Sequence, residues 1–128
     1  MNLKKYCLLL LLLVTTCFLI ACSGDGYKTI DAAEAIRIME AQPNALIVDV
    51  RTPEEFAQGH IPGAILLPDY AIAGQASEVL PDKKATILLY CRSGNRSAHA
   101  AAALVRMGYT KVYDFGGLNT WTGELVTP

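Results

Sequence analysis

From residue 27 onward the hydrophobic pattern keeps changing period. Short unbroken apolar runs alternate with longer stretches whose apolar positions recur at helical spacing. Residues 27–30 predict a short strand. Asp31 with Glu34 three residues later has the spacing of a capping box, because Asp31 can accept from the backbone N–H of residue 34. Ala32, Ala35, Ile36 and Met39 then share one helical face, and Pro43-Asn44 ends the helix. Residues 46–50, LIVDV, are nearly all apolar, as in a central parallel strand covered on both faces. Thr52-Pro53-Glu54-Glu55 opens a short helix: Thr52 caps, Pro53 takes the first position, and two acids face the dipole. Gly59 stops it. Residues 64–67 predict a third strand closed by Pro68, residues 69–80 are partly helical, and residues 86–90 form another fully apolar strand. An Ala-rich helix over 97–107 stops at Gly108. Residues 111–113 predict a last strand, followed by a Gly116-Gly117 turn and a short segment, 118–121. The tail after Trp121 has no strong pattern and is expected to be short or frayed. Strands separated by helices predict an α/β fold with a parallel sheet and right-handed crossovers.

The first 21 residues follow a different rule. Lys4 and Lys5 precede an apolar run from Tyr6 to Ala21, short for a bilayer span of roughly 20 residues but suited to a signal-peptide core. The run ends in Leu19-Ile20-Ala21-Cys22. This resembles the bacterial lipobox, in which signal peptidase cuts before the cysteine and the cysteine carries the lipid. Residues 1–21 are therefore expected to be a lipoprotein signal peptide, Cys22 the lipidation site, and residues 23–26, small and polar, a tether. The remaining domain, 27–128, is expected to be exported. It would be held to a bacterial membrane through the lipid anchor only, on the periplasmic face or the cell surface.

Composition narrows the function. Setting aside the two leader lysines leaves nine basic against 12 acidic side chains, a formal charge of −3. That balance, without basic runs, excludes a nucleic-acid partner, because phosphate contacts need clustered Lys and Arg. Cysteine usage is more pointed. Cys7 and Cys17 lie in the leader and Cys22 would be capped, so Cys91 is the domain's one thiol. A lone cysteine in an exported domain is either buried and inert or kept for its reactivity.

Its surroundings favour reactivity. Ligands in open parallel sheets sit outside the carboxyl ends of the strands. At one such end the sequence reads Cys91-Arg92-Ser93-Gly94-Asn95-Arg96-Ser97 and runs straight into a helix. A strand-to-helix turn can curl its backbone N–H groups around the Cys91 sulfur, and the helix N-terminus adds partial positive charge. Arg92 and Arg96 add full charges. Each effect favours thiolate over thiol, and the same features would bind an anionic substrate beside the nucleophile. Gly94 permits a backbone conformation that a side chain would obstruct.

The loop, YCRSGNRSA, resembles the active-site loop of single-domain rhodaneses, the thiosulfate sulfurtransferases. DVRTPEEFAQGHIPGA at 49–64 and GGLNTW at 116–121 resemble two further motifs of that family, in its order. The resemblance implies a three-layer α/β domain with a central five-stranded parallel sheet flanked by helices. It also implies that the Cys91 thiolate takes the outer sulfur of a small anionic donor such as thiosulfate, becomes a persulfide, and passes the sulfur to a thiophilic acceptor, cyanide or a thiol. Backbone N–H groups from Arg92 through Ser93, Gly94 and Asn95 to Arg96 would hold the persulfide. The Arg92 and Arg96 side chains would attract the donor. No cofactor or metal is implied.

Phosphatases of the same fold place Arg six residues after Cys, whereas Arg96 is five after Cys91, and they usually carry His where this chain has Tyr90. A second reading keeps the loop but not the turnover: a persulfide carrier or redox-sensing module that docks a partner protein. The remaining residues read as structural. Asp49 and Arg51 alternate along a strand end and are expected to form supporting pairs near the site. His60 reads as a turn residue, His99 has no second ligand nearby in sequence, and Trp121 reads as packing.

Overall fold

The computed structural model describes residues 26–128; the leader, Cys22 and all of the tether except Gly26 lie outside the described residues. Five strands, β1 (Lys28–Thr29), β2 (Leu46–Asp49), β3 (Ile65–Leu66), β4 (Thr86–Cys91) and β5 (Lys111–Gly117), form one sheet. Their order is β1-β5-β4-β2-β3, with every pair parallel. Four α-helices connect them: α1 (Ala32–Ala41), α2 (Pro53–Ala57), α3 (Ile72–Val79) and α4 (Asn95–Arg106). The chain steps to one side from β2 to β3 and to the other from β4 to β5. The carboxyl ends of β2 and β4 therefore flank the switch point where open α/β sheets bind ligands.

β4 is buried on both faces, and its alternation sorts the core. Ile87, Leu89 and Cys91 face α3 and α4, packing with Ala76, Ala100, Ala101 and Leu104. Leu88 and Tyr90 face α1, with Ala35, Ile61 and Phe115. The Tyr90 and Phe115 rings lie 5.4 Å apart, and Phe115 and Trp121 5.8 Å apart, so Trp121 is a packing residue as its position suggested.

Several boundaries differ from the pattern. Asp31 does cap α1, accepting from the Glu34 N–H at 2.7 Å, but the Glu34 carboxylate turns to Arg37 instead of closing the box. Ile38 and Met39 pack with Ala35 on the core side of α1, whereas Ile36 lines a groove at its edge; the 35/38/39 spacing is the inward stripe. β4 runs one residue further, to Cys91, and α4 begins at Asn95 rather than 97. The largest correction is β5. It does not stop at Tyr113 but continues through Asp114 to Gly117, pairing Gly117 with Cys91 across a register shift. Asp and Gly are poor strand formers, which hid this half of the strand. The tail is not frayed where Val126 meets His60: the two exchange backbone hydrogen bonds of 2.9 and 2.8 Å.

Candidate active site

β4 delivers Cys91 to the carboxyl end of the sheet, fully buried. Its Sγ accepts from the Gly94 backbone N–H at 3.0 Å and lies 3.5 Å from Ser97 Oγ. Burial pushes the thiol pKa up. Against it act Ser97 and the backbone N–H groups of Gly94 and Ser93, and together they hold the pKa below its ordinary value. The curled turn needs glycine at 94, where φ is +103°, in the left-handed region, and a Cβ would press on the Gly116 backbone. Gly117 serves the same loop from outside. A Cβ there would overlap the Arg92 carbonyl, so β5 and the loop can touch only without a side chain.

The two arginines are held differently. Arg92 is exposed, and its side chain makes no hydrogen bond or ion pair among the described residues. Arg96 forms a bidentate pair with Glu55 at 2.7 and 2.9 Å. Glu55 is in turn fixed by α2: its carboxylate accepts from the Thr52 N–H at 3.0 Å, and its N–H donates to Thr52 Oγ1 at 3.2 Å. This is a complete capping box with Pro53 at the helix start. The Arg96 hydrogen bonds, more than burial opposes them, lower the Glu55 pKa from 4.5 to about 2, helped by the Thr52 N–H. Arg96 is thus a loop cation already engaged by a carboxylate. Ser93 and Asn95 are exposed on the loop, Asn95 as the first residue of α4.

Asp49 and Arg51 pair with each other. Arg51 Nη2 donates to Asp49 Oδ2 at 2.7 Å and to the Gly59 carbonyl at 2.7 Å, tying the end of β2 to the end of α2. Both are buried, and neither hydrogen-bonds to Cys91. His60 stacks on Phe56 at 3.6 Å, with Nδ1 3.0 Å from the Phe56 carbonyl, and is likewise structural.

Three residues join the site that the sequence reading passed over. Glu55 was assigned only to its helix. Ser97 was read as a helix start, yet its hydroxyl sits beside the sulfur. Asp114, placed beyond a strand end, lies under Ser97, with Oδ1 at 2.7 Å from Ser97 Oγ and 3.0 Å from the Gly116 N–H. The alternation of β5 carries that signal: Val112 packs on the α4 side, so Asp114, two residues on, faces the same way as Cys91. A groove of about 400 Å³ lined by Met39, Ile47, Ile61 and Trp121 lies apart from this site, and none of residues 91–97 reaches it.

A parallel α/β sheet whose central strand ends in a cysteine, cradled by backbone N–H groups at a helix start, is an arrangement that favours an anionic sulfur. Residues 31–124 match the model of the rhodanese-like domain, and the chain belongs to that family. A sulfurtransferase of Allochromatium vinosum is 40% identical over 93 residues, covering 72% of this chain and 85% of that protein. The thiosulfate sulfurtransferase GlpE of Pseudomonas putida is 36% identical over 96 residues, covering 74% and 84%. A solved structure described as a rhodanese with anions from E. coli superposes with a TM-score of 0.62 at 36% identity, covering 66% of this chain and 99% of that one.

Proposed function

We propose that this protein moves a sulfane sulfur from a small anionic donor such as thiosulfate to a thiophilic acceptor through a persulfide on Cys91. It is an enzyme of the rhodanese type, a sulfurtransferase, in keeping with relatives named for that activity. The observation that carries the reading is the cradle around Sγ, which favours the anionic sulfur despite its burial. In the first half-reaction the Sγ electron pair forms a bond to the outer sulfur of thiosulfate, and the donor's S–S bond breaks with its pair leaving on sulfite. In the second, the acceptor takes the outer sulfur and the S–S pair returns to Sγ. The loop N–H groups hold negative charge at both stages without rearranging. Arg92 meets the donor, and Arg96 joins it as Glu55 yields.

The test is the mass of the purified full-length protein before thiosulfate, after it, and after cyanide. The expected result is a gain of one sulfur, reversed by cyanide and absent in Cys91→Ser. No gain, with a titrating thiolate at Cys91, would overturn thiosulfate as donor and favour a carrier or sensor loaded by a partner protein.

The chain is also exported and lipid-anchored to a bacterial membrane through Cys22, supported by the basic start, the apolar run and Leu19-Ile20-Ala21-Cys22. Palmitate labelling in a bacterial host should be lost on Cys22→Ala; label that persists would overturn the assignment.

A further inference from the structure

Ser97 Oγ carries one proton and is surrounded by acceptors: Asp114 Oδ1 at 2.7 Å, the Gly94 and Gly116 carbonyls at 3.1 and 3.3 Å, and Cys91 Sγ at 3.5 Å. A carboxylate at the shortest of these distances outcompetes a sulfur at the longest, because charge-assisted O–H···O⁻ bonds are the strong ones. The Ser97 proton then points at Asp114, and its lone pair is left facing the sulfur. That arrangement suits a thiol, whose S–H can donate to Ser97, and it gives a thiolate no help from the hydroxyl. Asp114 is itself buried, and its charge lies behind Ser97 on the sulfur's side of the sheet. The other charged groups around the loop are Arg96 from α4, paired with Glu55 from α2 and within the field of Asp69 ahead of α3, and exposed Arg92; Asp49 and Arg51 at the end of β2 neutralise each other.

We propose that Asp114 is a positioning residue for Cys91: by claiming the Ser97 proton it keeps the sulfur basic, hence a stronger nucleophile for loading and a slower leaving group for release. The backbone cradle alone would make the anion too stable to attack well, since thiolate nucleophilicity falls as thiol pKa falls. Asp114 offsets that pull from within the core. The proposal rests on Cys91 chemistry as set out above, and it assigns the balance between the two half-reactions to a residue that touches neither substrate.

The experiment is the pH titration of the Cys91 thiolate by its ultraviolet absorbance, taken as the difference from Cys91→Ser in the full-length protein. Asp114→Asn keeps the shape, removes the charge and leaves Ser97 only a neutral acceptor there, so that an anionic sulfur can compete for its proton. The expected midpoint falls by about one pH unit, the size of a nearby like-charge effect. Ser97→Ala should move the midpoint little when Asp114 is intact and raise it when Asp114 is already Asn. Loading by thiosulfate, measured above both midpoints, should slow about threefold in Asp114→Asn, following the nucleophilicity slope. An unmoved or raised midpoint in Asp114→Asn would overturn the proposal. Should Asp114→Asn not fold, a Ser97→Ala midpoint well above wild type would overturn it, because the hydroxyl would then have been serving the sulfur. The titration needs no sulfur donor. A midpoint shift in a protein that never loads sulfur would overturn the proposed activity while supporting the role of Asp114.

Discussion

Arg92 and Arg96 stand on one loop, yet only the first is free to meet a substrate unaided. Glu55 neutralises much of the Arg96 charge, and the two side chains are 30% and 25% exposed, so solvent screens the pair. Glu55→Gln should release Arg96 and lower KM for thiosulfate about fivefold, corresponding to about 1 kcal/mol for a partly exposed pair. Arg92→Ala should raise KM by a similar factor. Initial-rate kinetics check both, and the two effects should shrink with added salt. A KM indifferent to Glu55→Gln would mean that Arg96 takes no part in donor binding.

Two contacts between elements hold the site in shape. The first is the close pass of β5 against the loop at Gly117. Gly117→Ala should cost about 1–3 kcal/mol as an overpacked contact, and it should cut sulfur transfer more than stability because the displaced segment is the cradle itself. Comparing kcat with the denaturant midpoint separates the two effects. The second is the Asp49–Arg51 pair, which joins β2 to the Gly59 carbonyl. Asp49→Asn leaves a buried guanidinium short of its counter-charge and should destabilise the fold by about 3–5 kcal/mol, read from denaturant melts. The element boundaries that were mislaid in the sequence, the end of β5 and the start of α4, meet at this same place. Loop chemistry there overrides strand and helix propensity.

For the molecule as a whole, acid is the condition that tests the site's wiring. The Glu55 pKa is depressed in the fold, so below its ordinary value the unfolded chain binds more protons than the folded one. Its stabilising contribution is present above about pH 4.5 and is lost as pH falls toward about 2. Denaturant midpoints measured across that window should drop in the wild type and drop less in Glu55→Gln. A slope unchanged by the substitution would show that Glu55 keeps no linkage to Arg96 in solution. The Val126–His60 pairing, outside the sheet, anchors the tail beside the turn that Arg51 also holds.

Apolar runs, caps and glycines along the chain were enough to place five strands and the main helices, because burial on two faces and the 3.6-residue period leave marks within one segment. The candidate site around Cys91 was legible for the same reason: Cys91, its loop and the following helix are contiguous. Asp114, Glu55 and Gly117 were not, since their partners are distant in the chain. Glu55 reaches Arg96 across 41 positions and Asp114 reaches Ser97 across 17. Such contacts come from sheet order and register, and a parallel sheet brings them together only after its crossovers are made.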